Sequence, residues 1–373
     1  MIINKAKRTW VEISEKNLMT NFNTLSKISG PNNKKMVVVK SNAYGHGIIE
    51  CAKILETAGA DFLAVDSFEE ALLLRKNKIK KPILVFGYTH KDDFEKASQE
   101  DISLTISNTN SLKDLIKMSQ KIKIHIKADT GLHRQGFLEN EISDVKKILL
   151  KNENIILEGL YTHLAGAESN KFKKYTEKQI SSFNNWIKEL NEINPEAITH
   201  CAASAASIIY PESRFKMVRF GISLYGLWPS EEIKESAADI NLKPVLKWNS
   251  ILSEVKKVKK GEPVGYDCSE NLSRDSIIGI VPVGYWHGYP RHASKKSFVL
   301  INGERAKVLG KVSMDMIIVD LTKVKNPEQN DTVTLIGKDK KEEIAAEELA
   351  GHCNTINYEI VTRINSEIER VLK

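Results

Sequence analysis

One lysine closes an otherwise apolar run, Met36-Val37-Val38-Val39-Lys40. An amine at such a place is expected to be stripped of water, which lowers its pKa and frees it for Schiff-base formation. A lysine whose ammonium snorkels to solvent would occupy the same position, and the run alone does not separate the two. Further polar residues close apolar runs downstream. Lys127 and Asp129 do so, with Arg134 a few residues on, followed by His163, Ser204 and Arg219.

Groups like these need a scaffold, and residues 1–240 carry the pattern of one. Short runs rich in Val, Ile and Leu fall at 36–40, 62–65, 83–86, 104–107, 123–129, 157–163, 198–202 and 217–224. Runs of that kind suit strands buried on both faces. Amphipathic segments lie between them. After Ser14, a good N-cap, Leu18, Phe22, Leu25 and Ile28 recur at helical spacing, as do Ile180, Phe183, Ile187 and Leu190. Eight such alternations predict an α/β fold with an N-terminal (β/α)8 TIM-like barrel, although a doubly wound sheet would give the same pattern. In barrels the working groups sit at the C-terminal ends of the strands, which is where Lys40, Lys127, His163, Ser204 and Arg219 fall.

Beyond Pro244 the character changes. Runs at 250–258, 277–283, 298–301 and 316–319 follow one another, with turns at Lys260-Gly261 and Asn302-Gly303. Only 342–353 reads clearly as a helix. The expected organisation is a barrel over 1–240 and a mostly-β C-terminal domain over 241–373, with residues 1–10 able to pack on the β domain.

Composition sets the outer bounds. The chain has 373 residues, 41% hydrophobic and 28% charged, enough for one large core and one smaller. A net charge of +7 hints at an anionic partner. The densest lysine runs, 76–81 and 256–260, are short and set among acids, so they read as solvated faces rather than a nucleic-acid groove. A phosphorylated small ligand remains compatible. Met1-Ile2-Ile3-Asn4-Lys5 opens no apolar stretch of the signal-peptide kind, and no run approaches the ~20 apolar residues of a membrane helix. Cys51, Cys201, Cys268 and Cys353 lie far apart without a C-x-x-C pair. Reduced thiols, a cytoplasmic location and the absence of a metal site are the expectations.

The local sequence around Lys40 narrows the reading. Val37-Val38-Val39-Lys40-Ser41-Asn42-Ala43-Tyr44-Gly45-His46-Gly47 closely resembles the cofactor-lysine signature of the alanine racemases, a pyridoxal-phosphate family. Lys127-Ala128-Asp129-Thr130-Gly131-Leu132-His133-Arg134-Gln135-Gly136 resembles that family's lysine-to-arginine segment. Tyr161-Thr162-His163-Leu164-Ala165, His200-Cys201-Ala202-Ala203-Ser204-Ala205-Ala206 and Val218-Arg219-Phe220-Gly221-Ile222-Ser223-Leu224-Tyr225-Gly226 follow in order. In the β domain come Val264-Gly265-Tyr266, Pro282-Val283-Gly284-Tyr285, Gly310-Lys311-Val312-Ser313-Met314-Asp315 and Thr355-Ile356-Asn357-Tyr358-Glu359. Their number, order and spacing carry the resemblance over most of the chain.

The resemblance implies interconversion of L- and D-alanine by a homodimer with shared active sites. Lys40 would hold pyridoxal 5'-phosphate as a Schiff base and serve as one base. Tyr266 from the partner's β domain would serve as the other, on the opposite face, and nearby positive charge or hydrogen bonds must make it more acidic than a free tyrosine. Arg219 would meet the pyridine nitrogen, with His163 behind it. The phosphate would fall to Tyr44, Ser204, Tyr358 and the amides of Gly221 and Ile222. Arg134 would reach the cofactor's phenolic oxygen and the substrate carboxylate. Met314 and Asp315 would line the substrate pocket, and Glu168, Tyr285 and Arg291 would gate the way in. Lys127 aligns with a lysine that is carbamylated in some members; an unmodified lysine paired with Asp129 fits the sequence equally. D-alanine supply for peptidoglycan is the implied role.

Departures sit beside this chemistry. Ala203 stands where the family usually has asparagine, Ser313 where cysteine is frequent, His287 where aspartate is frequent, and Glu168 where aspartate is usual at the gate. They leave substrate preference open. A serine or broader-specificity racemase is the nearest alternative, although those relatives carry a membrane domain or a secretory signal. A barrel-type decarboxylase should not place an arginine opposite the ring nitrogen. A non-catalytic cofactor carrier resembles the barrel alone and needs no Tyr266.

Overall fold

The computed structural model describes residues 7–373; the N-terminal segment on which the signal-peptide expectation falls lies outside the described residues. The chain divides into two compact units. One gathers the described residues up to Asn17 with Tyr44–Gly47 and Pro244–Lys373, the other Leu18–Ala43 with Ile48–Lys243.

In the second unit eight parallel strands run in chain order: Lys34–Val38, Phe62–Val65, Ile83–Val85, Ile102–Ile106, Ile122–Lys127, Ile155–Tyr161, Ile198–His200 and Met217–Phe220. The eighth pairs with the first, from Lys34 opposite Met217 to Val37 opposite Phe220. That pairing closes the cylinder and decides for the barrel over the doubly wound sheet. Helices return the chain between strands, and the apolar stripes foreseen for them are their buried faces. Leu18, Phe22 and Leu25 are buried on the helix Glu15–Ser29, and Ile180, Phe183 and Leu190 on Lys173–Leu190. Ser14 caps the former, its Oγ accepting from Asn17 N at 3.2 Å.

The other unit is mostly β. Its main sheet runs in the order Glu254–Val258, Ser276–Val281, Ile317–Asp320, Glu304–Leu309, Phe298–Ile301, Thr332–Asp339, Leu246–Ile251, Thr9–Ile13 and Arg370–Leu372. Thr9–Ile13 is antiparallel to Leu246–Ile251 and parallel to the C-terminal strand. Asn302 and Gly303 turn the hairpin between Phe298–Ile301 and Glu304–Leu309 with φ of 54° and 82°, as a two-residue turn of this kind requires.

Two elements depart from the sequence expectation. The single run at 250–258 is two strands, because the chain changes partner between them: Leu252 N donates to Asp331 O and Ser253 N to Ile280 O. The helix foreseen over 342–353 is confined to Ala346–Cys353, since Glu342–Ile344 pairs antiparallel with Gly337–Asp339. A further short helix, Asn357–Thr362, carries Tyr358. No helix among the described residues is long and apolar enough to cross a membrane.

Candidate active site

Lys40 follows the first barrel strand by one residue beyond Val39, and the backbone turns sharply after it. Ser41, Asn42, Ala43 and Tyr44 all adopt left-handed angles, with φ of 55°, 55°, 52° and 53°. Each such residue costs roughly 1–2 kcal/mol, a strain found where geometry matters to function. Glu70 holds the turn in place. One carboxylate oxygen accepts from Asn42 N and the other from Asp66 N, both at 3.1 Å. The clamp brings Asp66 Oδ1 to 3.1 Å from Lys40 Nζ. The Lys40 side chain is 36% exposed, so the expected desolvation is not met; an ion pair with Asp66 holds the ammonium at the barrel mouth instead.

Arg219, in the eighth strand, is buried, and its contacts are complete on one side only. Nη1 donates to His200 Nδ1 at 2.9 Å and to His200 O at 3.1 Å. Nη2 donates to Thr162 O at 2.9 Å and Cys201 O at 2.6 Å, and approaches His163 Nδ1 at 3.4 Å. Those acceptors occupy every Nη hydrogen, whereas Nε–H makes no hydrogen bond among the described residues. His163 stands two residues past the sixth strand rather than at its end. Burial, then Arg219 and Arg134, hold its imidazole well below the ordinary histidine range.

Lys127 closes the fifth strand and is buried, over the Tyr161 ring at 5.5 Å from its centroid. Burial and the neighbouring Arg134 and Arg219 push its pKa down to about 8. Its hydrogen bond goes to Gln135 Oε1 at 3.4 Å, not to Asp129. Asp129 turns its carboxylate to the amides of Gly131 and His133, at 2.9 and 3.0 Å, and so shapes the loop that carries the exposed Arg134. Lys127, Arg134 and Arg219 thus gather positive charge at the strand ends, next to Lys40 and Asp66.

After the seventh and eighth strands lies a small polar nest. Ser204 Oγ accepts from Gly221 N at 3.0 Å and Ser223 N at 3.4 Å. Ile222 is buried there, and the buried Ser223 Oγ has no hydrogen-bond partner among the described residues. Ala203, just before, cannot cap the helix Ser204–Ile209 as the usual asparagine could. Glu168 is exposed, its carbonyl accepting from Ser230 Oγ at 2.7 Å.

In the β unit, the Tyr44 and Tyr358 rings lie 6.3 Å apart, tilted by 51°. Tyr266 follows Gly265, whose φ is 79°, and is 67% exposed. Asp267 beside it is paired with Lys311. Tyr285 is placed by a close backbone approach: a Cβ on Gly284 would lie 2.2 Å from Ser313 O and 2.4 Å from Met314 O. Tyr285 N and Trp286 N donate to those carbonyls at 3.1 and 3.0 Å, which sets Tyr285 alongside Met314 and Asp315. His287 Nδ1 accepts from Gly284 N at 3.2 Å, and Ser313 Oγ donates to Met316 O. Both departures are therefore built into the loop that carries these residues. Arg291 is exposed on the following turn.

Sequence reasoning missed Asp66, Ser103, His125, Glu158, His200 and Ser223. His125 and Glu158 carried a signal, as polar residues inside short apolar strands; Asp66 and Ser223 carried none.

A parallel barrel with a lysine amine and clustered cations at its strand ends is the architecture of an enzyme, with a mouth suited to anionic small molecules. The family models of the alanine racemase N-terminal and C-terminal domains match residues 13–229 and 245–372. The alanine racemase of Methanococcus maripaludis is 39% identical over 97% of this chain and 98% of its own length. Alanine racemase 1 of Bacillus subtilis is 37% identical over 97% of this chain and 92% of its own. The crystal structure of alanine racemase from Bacillus anthracis with bound L-Ala-P superposes with a TM-score of 0.93 at 34% identity, covering 98% of this chain and 95% of that one. The chain belongs to the alanine racemase family, and with it to the isomerases.

Proposed function

We propose that the chain interconverts L- and D-alanine with pyridoxal phosphate as cofactor. The barrel residues fit that group. A buried arginine with one unengaged N–H and an unpartnered buried hydroxyl at Ser223 are donors awaiting acceptors, beside the Ser204 hydroxyl that gathers the amides of Gly221 and Ser223. When bound, the cofactor supplies an electron sink that makes the substrate Cα–H acidic.

The chain's own residues do the rest. Lys40 Nζ would hold the cofactor covalently and would take or return the substrate Cα proton on one face. Tyr266 of the partner subunit handles the proton on the opposite face through Oη. Arg219 would offer Nε–H to the cofactor's ring nitrogen and, because a guanidinium does not surrender its proton, would not protonate it. A cofactor held this way would supply a weaker electron sink, which would favour return of the Cα proton over transamination. The unengaged Nε of Arg219 is the observation that carries this reading. His163 lies behind Arg219 as a neutral neighbour. Ser204, Gly221 and Ile222 take the phosphate, with the hydroxyls of Tyr44 and Tyr358 in the same set. Arg134 orients the substrate carboxylate. Met314 and Asp315 of the partner subunit bound the pocket, and Glu168, Tyr285 and Arg291 gate access to it.

Lys127 as a carbamate completes the charge balance. An amine with its pKa near 8 is partly unprotonated at neutral pH and can capture carbon dioxide, and the resulting anion would be attracted by Arg134 and Arg219. The exposed apolar side chains of the β unit, Trp286, Met316 and Ile356 besides Tyr266, Tyr285 and Met314, suit a homodimer. Supply of D-alanine for peptidoglycan in the cytoplasm is the role we assign.

The test is chiral chromatography of the purified protein with pyridoxal phosphate, offered L-alanine and L-serine separately. Fast D-alanine with slow D-serine is the expected result. Dominant D-serine would move the substrate assignment, and no D-product with cofactor bound would point to a carrier.

A further inference from the structure

The interior of a (β/α)8 barrel is ordinarily filled by layers of branched apolar side chains. Here the fourth to eighth strands each contribute one polar side chain to a continuous column: Ser103, His125, Glu158, His200 and Arg219. Ser103 Oγ donates to Glu158 Oε2, the same oxygen that lies 3.1 Å from His125 Nε2. His125 Nδ1 is 2.9 Å from His200 Nε2, and His200 Nδ1 is 2.9 Å from Arg219 Nη1. Both imidazoles are fully buried, and the Glu158 side chain is 17% exposed.

The position of every proton in this column follows from its two ends. Arginine can only donate, so His200 Nδ1 must present a lone pair. His200 then carries its proton on Nε2 and donates to His125 Nδ1. His125 in turn carries its proton on Nε2 and donates to the Glu158 carboxylate, which can only accept. An extra proton on either ring would set donor against donor. Burial, Arg219 and His125 hold His200 well below the ordinary histidine range. Although burial alone pushes the Glu158 carboxyl up, the bonds from His125 and Ser103 keep it below the ordinary glutamate value.

We propose that Glu158 is a positioning residue for Arg219: through His125 and His200 it fixes both imidazole tautomers, so that Arg219 always meets a lone pair and keeps its Nε–H for the cofactor ring. The inference rests on the proposed function for its consequence, not for its geometry. A carboxylate two imidazoles away is an expensive way to fill a core, since apolar side chains of similar volume would be no less stable. What an apolar filling cannot do is order protons. The surrounding packing keeps the column in register. Tyr161 stacks on His200 with centroids 4.7 Å apart and planes 7° from parallel, and its hydroxyl is bonded to Thr105. Gly159 leaves room for His125, because a Cβ there would lie 2.2 Å from Nδ1.

The test is nitrogen NMR of the holoenzyme with 15N-labelled histidine, beside Glu158→Gln and Glu158→Leu. In the unaltered protein His125 and His200 should both show the Nε2–H tautomer and hold it from about pH 6 to about pH 9, a range in which a free histidine titrates. Glu158→Gln keeps an acceptor for His125 and should keep both tautomers. Glu158→Leu leaves His125 Nε2–H without an acceptor, so the loss of that bond competes with the donor clash at Arg219; it should give mixed tautomers at both rings, a shifted cofactor absorption band, and at least about a tenfold rise in the fraction of turnovers that end in transamination. An Nδ1–H or doubly protonated His200 in the unaltered protein would overturn the proposal without any variant having to fold. So would unchanged tautomers in Glu158→Leu. The nitrogen pattern is read without substrate, so a failure of racemisation in the unaltered protein counts against the proposed function and leaves this assignment standing.

Discussion

At the scale of single residues, Arg219 and Lys127 show how the barrel mouth manages buried positive charge. Arg219 is balanced by carbonyl oxygens of Thr162, His200 and Cys201 and by one imidazole lone pair, so its truncation strands several acceptors at once. Arg219→Met should therefore cost about 3–5 kcal/mol, the range for removing one partner of a buried charged network. Urea denaturation of the variant checks this, and a loss below about 1 kcal/mol would mean that water replaces the guanidinium. Lys127 makes the opposite case. Its pKa falls from the ordinary 10.5 to about 8, so between those values the unfolded chain binds more protons than the folded one. The stability of unmodified protein, stripped of carbon dioxide, should accordingly rise with pH from about 8 to about 10.5, by at most about 3.4 kcal/mol. Lys127→Met should abolish that rise, and so should carbamylation, because neither leaves an amine to titrate. A rise that survives in Lys127→Met would assign the effect to another group.

At the scale of elements, the strands position chemistry by alternation and the loops by strain. The barrel strands were legible because runs of Val, Ile and Leu need burial on both faces, and the polar residues closing them were legible as exceptions to that rule. The column of Ser103, His125, Glu158 and His200 was not. A strand's period says that His125 points inward, but only barrel closure brings it to His200, 75 positions away. The left-handed turn from Ser41 to Tyr44 was equally hidden, since none of those residues is glycine and the strain is imposed by the Glu70 clamp. Partner exchange at Leu252 and Ser253 split a run that reads as one strand, because hydrogen-bond partners leave no trace in hydropathy. Gly159 is where element and site meet. Besides its approach to His125, a Cβ there would lie 2.8 Å from Ile198 O, so neither side can yield cheaply. Gly159→Ala should lower Tm by several degrees and weaken cofactor binding together, whereas a variant with a lowered Tm and unchanged cofactor affinity would show that the column and the arginine are not coupled.

At the scale of the whole molecule, the question is whether one chain suffices. The barrel unit holds Lys40 and Arg219 but no group assigned to the second face of the substrate, and the β unit holds Tyr266 on a surface rich in exposed apolar side chains. The homodimer proposed above would cover those side chains with a second copy. The arrangement can be read by complementation. Lys40→Ala and Tyr266→Phe should each be nearly inactive alone, the second with cofactor still bound. If each site takes Lys40 from one subunit and Tyr266 from the other, a mixed dimer of the two variants has one site with both residues intact and one with neither. Mixing equal amounts under conditions that let dimers exchange should restore about a quarter of the unaltered activity per chain, because half the dimers are mixed and half of their sites are whole. If both bases came from the same chain, every site in the mixture would lack one of them and no recovery would appear. Absence of recovery despite demonstrated exchange would therefore sink the shared-site arrangement while leaving the assignment of the two bases open to test in each variant separately.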